Sequence, residues 1–120
     1  MILPSHLESR LLPRLVYISG PITNGDQFRN VQLGIDAFND LMDAGIPAYC
    51  PHFTAFAQMT RPRTHGEWMT YDLNVVLPRC SAVYRVPGKS IGADMEEQRA
   101  NELGIPVFKT MGGVLKWWRE

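Results

Sequence analysis

Around residue 90 the chain reads Val-Tyr-Arg-Val-Pro-Gly-Lys-Ser-Ile-Gly-Ala-Asp-Met-Glu-Glu, an apolar run and a Gly/Ser loop opening into a helical segment that carries Glu96. Helix N-termini offer unpaired N–H groups to anions, and in open α/β sheets ligands collect where the strands end. Ser90, Gly92 and Glu96 are therefore the first candidate site. Asp72 is a second carboxylate of interest, because it falls four residues after Trp68 and four before Val76, on the apolar stripe of a helix. Glu96 likewise shares a helical line with Gly92, Ala100 and Leu103, whereas Glu97 faces outward with Asn101. Plain structural roles stay open for each: local capping or pairing for Asp72, a buried pair or helix-dipole partner for Glu96, N-capping for Ser90.

Two half-buried carboxylates near strand ends suggest a division of labour. Burial raises a carboxyl pKa and mutual repulsion separates the two values, so that one group can act as acid and the other as nucleophile near neutral pH. Cleavage of a glycosidic bond uses carboxylates in this way.

The elements that must position these groups alternate regularly. Leu15 to Ser19 is a short β-rich run ended by Gly20-Pro21, suited to a buried parallel strand. Phe28, Val31, Ile35, Phe38 and Met42 then recur at helical spacing, with Gly45 placed as a C′ glycine. Ile46 to Cys50 predicts a second strand, and 52–63 a loop excursion over the top of the sheet. A helix from Thr64 to Leu77 is expected to carry Trp68, Asp72, Val75 and Val76 on one side. Ser81 to Val86, Ile91 to Leu103, Ile105 to Phe108 and Gly113 to Trp118 complete the alternation as strand, helix, strand and closing helix. The segments Ala44-Gly45-Ile46-Pro47 and Leu103-Gly104-Ile105-Pro106 punctuate two helix-to-strand joints alike. The order predicts an α/β, three-layer, flavodoxin-like or Rossmann-like fold with a parallel sheet of four to five strands and right-handed crossovers.

Composition is consistent with one globular domain at 15–120, preceded by an irregular lead-in at 1–14. The 120 residues are 45% hydrophobic and 20% charged, and twelve basic residues balance twelve acidic ones. No net field favours polymeric nucleic acid or an anionic membrane, so a small ligand is expected. Cys50 and Cys80 belong to no metal-like or redox motif, and no stretch has signal-peptide or membrane-spanning character; a reduced cytoplasmic protein is expected.

The pieces Tyr17-Ile18-Ser19-Gly20-Pro21-Ile22, Asp72 in a helix, and Ser90-x-Gly92-x-x-x-Glu96-x-x-x-Ala100, in that order, resemble the nucleoside 2-deoxyribosyltransferase superfamily. That superfamily includes the 2′-deoxynucleoside 5′-monophosphate N-hydrolases, and the resemblance spans about residues 15 to 110. It implies that Glu96 attacks C1′ of the sugar and displaces the base, that Tyr17 touches the sugar or orients Glu96, and that Asp72 binds a sugar hydroxyl or protonates the base. Ser90 and the N–H groups of Ile91 and Gly92 would hold a 5′-phosphate or 5′-hydroxyl. Gly20, Ile22 and Thr23 would line the substrate, Gly20 by close backbone approach. No cofactor is implied, and a homodimer or higher oligomer is. Hydrolysis is the leading expectation; base exchange and non-catalytic nucleotide binding are the alternatives. In the first loop Pro21 and Thr23 stand where the monophosphate hydrolases have Ser and Arg.

Three further readings concern aromatic and imidazole side chains. His52 is placed to contact the base or shuttle a proton, or to be an ordinary loop histidine. No zinc-like cluster forms with His6 and His65, so no metal is expected. Trp117 and Trp118 are candidates for a subunit interface, since a short terminal helix can hardly bury both.

Overall fold

The computed structural model describes residues 14–120, so all but the last residue of the expected lead-in lies outside the described residues. Four parallel strands, β1 (Val16–Ser19), β2 (Ala48–Tyr49), β3 (Ala82–Arg85) and β4 (Val107–Phe108), form one sheet in the order β2-β1-β3-β4. Between and after them lie α1 (Gln27–Asp43), α2 (Thr54–Thr60), α3 (His65–Thr70), α4 (Ile91–Glu102) and α5 (Met111–Arg119). The chain is an α/β protein with helices on both faces of a parallel sheet, compatible with the three-layer flavodoxin-like fold expected.

Strand alternation divides the core in two. Val16 and Ile18 point to the face covered by α1 and α5, where they meet Ala37, Leu41, Ile46 and Val114. Tyr17 points to the other face with Val83, beneath Leu77, Cys80 and Ala100. The outer strands β2 and β4 pair on one side only and keep two residues each, shorter than the sequence suggests.

The two helix-to-strand joints are indeed built alike. Gly45 and Gly104 take φ of +76° and +73°, the left-handed conformation that glycine adopts without steric cost. Beside them, Ile46 N–H reaches the Leu41 carbonyl at 2.9 Å, and Ile105 N–H reaches that of Ala100 at 2.8 Å. Both ends are Schellman caps. Each delivers a proline carbonyl to the next strand: Val16 N–H bonds Pro47 and Val83 N–H bonds Pro106.

Three expectations need correction. Helix α1 exists, but it is turned: Gly34, Ala37 and Leu41 face the sheet, while Phe28 and Met42 are 80% and 59% exposed. The helix seats through Gly34, where an added Cβ would lie 2.4 Å from the His52 ring. Secondly, the 52–63 excursion contains α2, which leads out of a tight turn at Pro51–Phe53; both of its sides are partly or fully exposed, so it has no apolar period.

Thirdly, the helix starting after Thr64 is not regular to its end. Thr64 and Glu67 form a capping box, but from Tyr71 to Val76 the backbone widens into a π-helical turn in which Leu77 N–H bonds the Asp72 carbonyl. Beyond Asp72 Leu77 is therefore buried, Leu73 and Val76 are half-buried against the same core, and Val75 is exposed. Trp117 and Trp118 are half-buried against the α1/α5 core, with the Arg14 guanidinium 4.9 and 4.1 Å from their ring centres, and both keep part of their surface exposed.

Candidate functional site

The site grows from the ends of β1 and β2. Tyr17 and Tyr49 are neighbours in parallel register, their ring centres 5.6 Å apart, and each hydroxyl serves a different carboxylate. Tyr17 donates to Glu96 Oε2, and Tyr49 donates to Asp72 Oδ1 at 3.4 Å. Two residues along β1, Ser19 lies on the same face as Tyr17 and donates to Glu96 Oε1 at 2.7 Å. Both oxygens of Glu96 are thus held by hydroxyl donors from one strand.

Glu96 comes from α4, whose buried line is Ala93, Glu96 and Ala100. The small alanines let the helix approach the sheet closely enough for the carboxylate to reach β1. Burial pushes the Glu96 carboxyl up to about 7, against the hydrogen bonds from Tyr17 and Ser19, which favour the ionised form; Asp72 raises it and the Arg85 charge lowers it. Burial likewise pushes Asp72 up to about 6, opposed by its tyrosine hydrogen bonding. The tyrosines themselves are pushed well above their ordinary range by burial and by the carboxylates beside them. They remain neutral donors.

A cavity of about 1030 Å³ opens in front of this pair and includes Glu96 and Asp72 in its walls. This lies at the upper end of small-molecule sites, which run from about 300 to 1,000 Å³. Of the residues singled out in the sequence, Gly20, Ile22, Thr23, Ser90 and Gly92 also line it. Tyr17 stands behind Glu96. Ser90 caps α4, its hydroxyl oxygen accepting from Ala93 N–H at 3.0 Å, which leaves the hydroxyl proton and the first helical N–H groups for a ligand. Gly20 has a packing reason of its own, since a Cβ there would come within 2.8 Å of Val86 Cβ.

His52 is not brought to the cavity. Its ring is fully buried beneath Gly34 of α1, with Nε2 3.2 Å from the Pro21 carbonyl oxygen and Nδ1 3.5 Å from Cys50 Sγ. The carbonyl can only accept, so Nε2 carries the proton and Nδ1 accepts from the thiol. Burial lowers the imidazole pKa and pushes the Cys50 thiol up to about 11, so this chain of contacts is neutral. His52 braces the first loop from behind.

Other wall residues escaped the sequence reading. Gln58 of α2 accepts from Trp68 Nε1 at 2.7 Å and from Arg63 N–H at 2.8 Å, locking α2, the 61–64 connection and α3 into one wall. Arg85, at the end of β3, is buried and reaches Asp94 and Glu97. Ser19 was readable from strand alternation with Tyr17. Tyr49 and Arg85 were not, because their partners depend on strand register.

Among the described residues no three His, Cys, Asp or Glu side chains gather as a metal-holding group, and no helix is long and apolar enough to cross a membrane. Comparison of the chain with protein-family models, curated proteins and solved structures finds no match in any of the three.

Proposed function

We propose that the chain cleaves the N-glycosidic bond of a nucleoside or deoxynucleoside, free or as its 5′-monophosphate, with Glu96 as nucleophile. One observation carries this reading: a buried carboxylate gripped at both oxygens by Tyr17 and Ser19, facing a nucleotide-sized cavity beside a second carboxyl, Asp72, of raised pKa. A buried glutamate serving only as a structural charge would be expected to pair with a cation. Glu96 is instead held by neutral hydroxyls, which leaves its charge available.

In the reaction, ionised Glu96 attacks C1′, the bond to the base breaks, and its electron pair passes to the base nitrogen, which takes the Asp72 proton. Water, giving a proton back to Asp72, then attacks C1′ of the glycosyl ester and frees Glu96 with the sugar. Burial raises both carboxyls, Asp72 to about 6 and Glu96 to about 7, so protons are shared between the two near neutral pH and the productive form has Glu96 ionised with Asp72 protonated. Rate against pH is bell-shaped as a result, rising as Glu96 ionises and falling as Asp72 loses its proton. Ser90 and the N–H groups of Ile91 and Gly92 hold the 5′ end of the sugar. The reading includes a homodimer or higher oligomer covering the open side of the cavity, where Ile91 is 80% exposed, and a reducing cytoplasmic setting for the free thiols Cys50 and Cys80.

Base exchange is the same chemistry with a second base in place of water. A non-catalytic nucleotide sensor is favoured by one feature of the first loop: Pro21 packs on Gly88 and has no N–H to offer a phosphate. Incubation with a panel of deoxynucleosides and their monophosphates, with and without an acceptor base, separates the three. Free base alone indicates hydrolysis, a new nucleoside indicates exchange, and a raised melting temperature without released base indicates the sensor.

A further inference from the structure

Among the described residues Arg85 is the one buried cation near the site, and its contacts go to two different parts of the chain. Strand register sets it beside Ser19, the residue that holds Glu96 Oε1. Its Nη2 donates to the Gly88 carbonyl at 2.7 Å and its Nε to the Val86 carbonyl at 3.2 Å, both in the loop that delivers Ser90. Its Nη1 donates to Asp94 at 2.9 Å and to Glu97 at 2.6 Å, on the first turns of α4. Asn24 adds a bond from the first loop to the Lys89 carbonyl at 2.7 Å, and Lys109 neutralises Glu97 from outside at 3.0 Å.

We infer that Arg85 is a positioning residue for the reaction proposed above, fastening the 86–90 loop and the start of α4 into one body that carries both Ser90 and Glu96. The inference rests on that functional reading. Two properties of the guanidinium matter separately. Its planar fork spans loop carbonyls and helix carboxylates at once, which an ammonium cannot do. Its charge opposes the effect of burial on Glu96, the other groups facing that carboxylate being Tyr17 and Ser19 from β1 and Asp72 from the π-helical turn. A residue serving only to close an ion pair with Asp94 and Glu97 would affect stability and neither of these.

Two substitutions separate fork from charge. Arg85→Met is expected to move the Glu96 titration upward, followed by carbon-detected NMR of the carboxyl group, and to lower kcat at pH 7 by about threefold to tenfold with partial recovery at higher pH. Arg85→Lys is expected to keep the Glu96 titration near its original place, to accelerate amide exchange in 88–92, and to raise KM more than it lowers kcat. If Arg85→Met does not fold, Arg85→Lys decides alone through amide exchange. The inference is overturned by an unmoved Glu96 titration in folded Arg85→Met, or by unchanged amide exchange in Arg85→Lys. Both readouts are independent of turnover, so absence of base release with both readouts as expected would remove the proposed function and leave Arg85 fastening the loop and helix of a site that does other work.

Discussion

The two faces of the sheet are built from the same strands and do opposite things. On the α1/α5 face, Val16 and Ile18 of β1 meet Leu41, Ile46 and Val114, and the titratable groups buried beside them, Cys50 and His52, are kept neutral by burial. On the α3/α4 face, the alternate residues Tyr17 and Ser19 hold a buried glutamate, with Asp72 and Arg85 close by. The first face is where burial stabilises. The second is where burial is used against ionisation, and stability is given up to keep two carboxyls near neutral pH. A four-residue strand therefore separates an apolar face from a face carrying buried carboxyls by parity alone.

Substitutions can break that comparison in order of expected effect. Glu96→Ala should reduce base release by at least about a thousandfold while the circular dichroism spectrum stays native; release at the original rate would remove Glu96 from the mechanism. Ile18→Ala, one residue from the site strand's polar side, should cost about 2–5 kcal/mol in denaturant unfolding and leave the activity of the folded fraction within a few-fold. A large loss of activity there would mean that the two faces are coupled.

Glu96→Gln tests the stability side of the site. The Glu96 pKa is raised on folding from 4.5 to about 7, so the folded state favours the protonated carboxyl: its contribution is fully present below pH 4.5 and is lost as pH rises toward 7. Across that window the unsubstituted protein is expected to lose about 3 kcal/mol that the glutamine variant does not. Unfolding at pH 4.5 and pH 8 reads this directly, and parallel curves for the two proteins would contradict it. The smallest effect is expected from Ser19→Ala, with kcat about tenfold lower and the Glu96 midpoint displaced upward, since one donor to the ionised carboxylate is lost.

Much of this contrast is legible in the sequence, and its gaps have physical causes. The alternation of strands and helices, the two glycine-capped joints and the helical line through Glu96 all follow from local rules. Local rules do not contain strand register, so Tyr49 opposite Tyr17 and Arg85 opposite Ser19 emerge only in the folded sheet. Apolar periodicity misplaces the buried side of α1, because that helix docks through Gly34, a residue with no side chain for a hydrophobic pattern to register. His52 illustrates the reverse case: it reads as a loop histidine, yet the space Gly34 leaves draws it inside. The stripe through Asp72 is readable only as far as the backbone keeps its usual winding.

The widened turn after Tyr71 has a consequence for how the chain tolerates change in length. A regular helix is a screw of fixed pitch, on which one face keeps a single bearing from end to end. One surplus residue advances that bearing by about 100°. Before the insertion, Trp68, Met69 and Asp72 address the cavity; after it, Leu73, Val76 and Leu77 address the core. One continuous helix thus keeps two angular appointments that a uniform screw would force into conflict. Deleting a single residue between 73 and 76 would restore the pitch and swing either the carboxylate or the leucine off target, whatever residue was removed. In this segment the count of residues is as consequential as their identity.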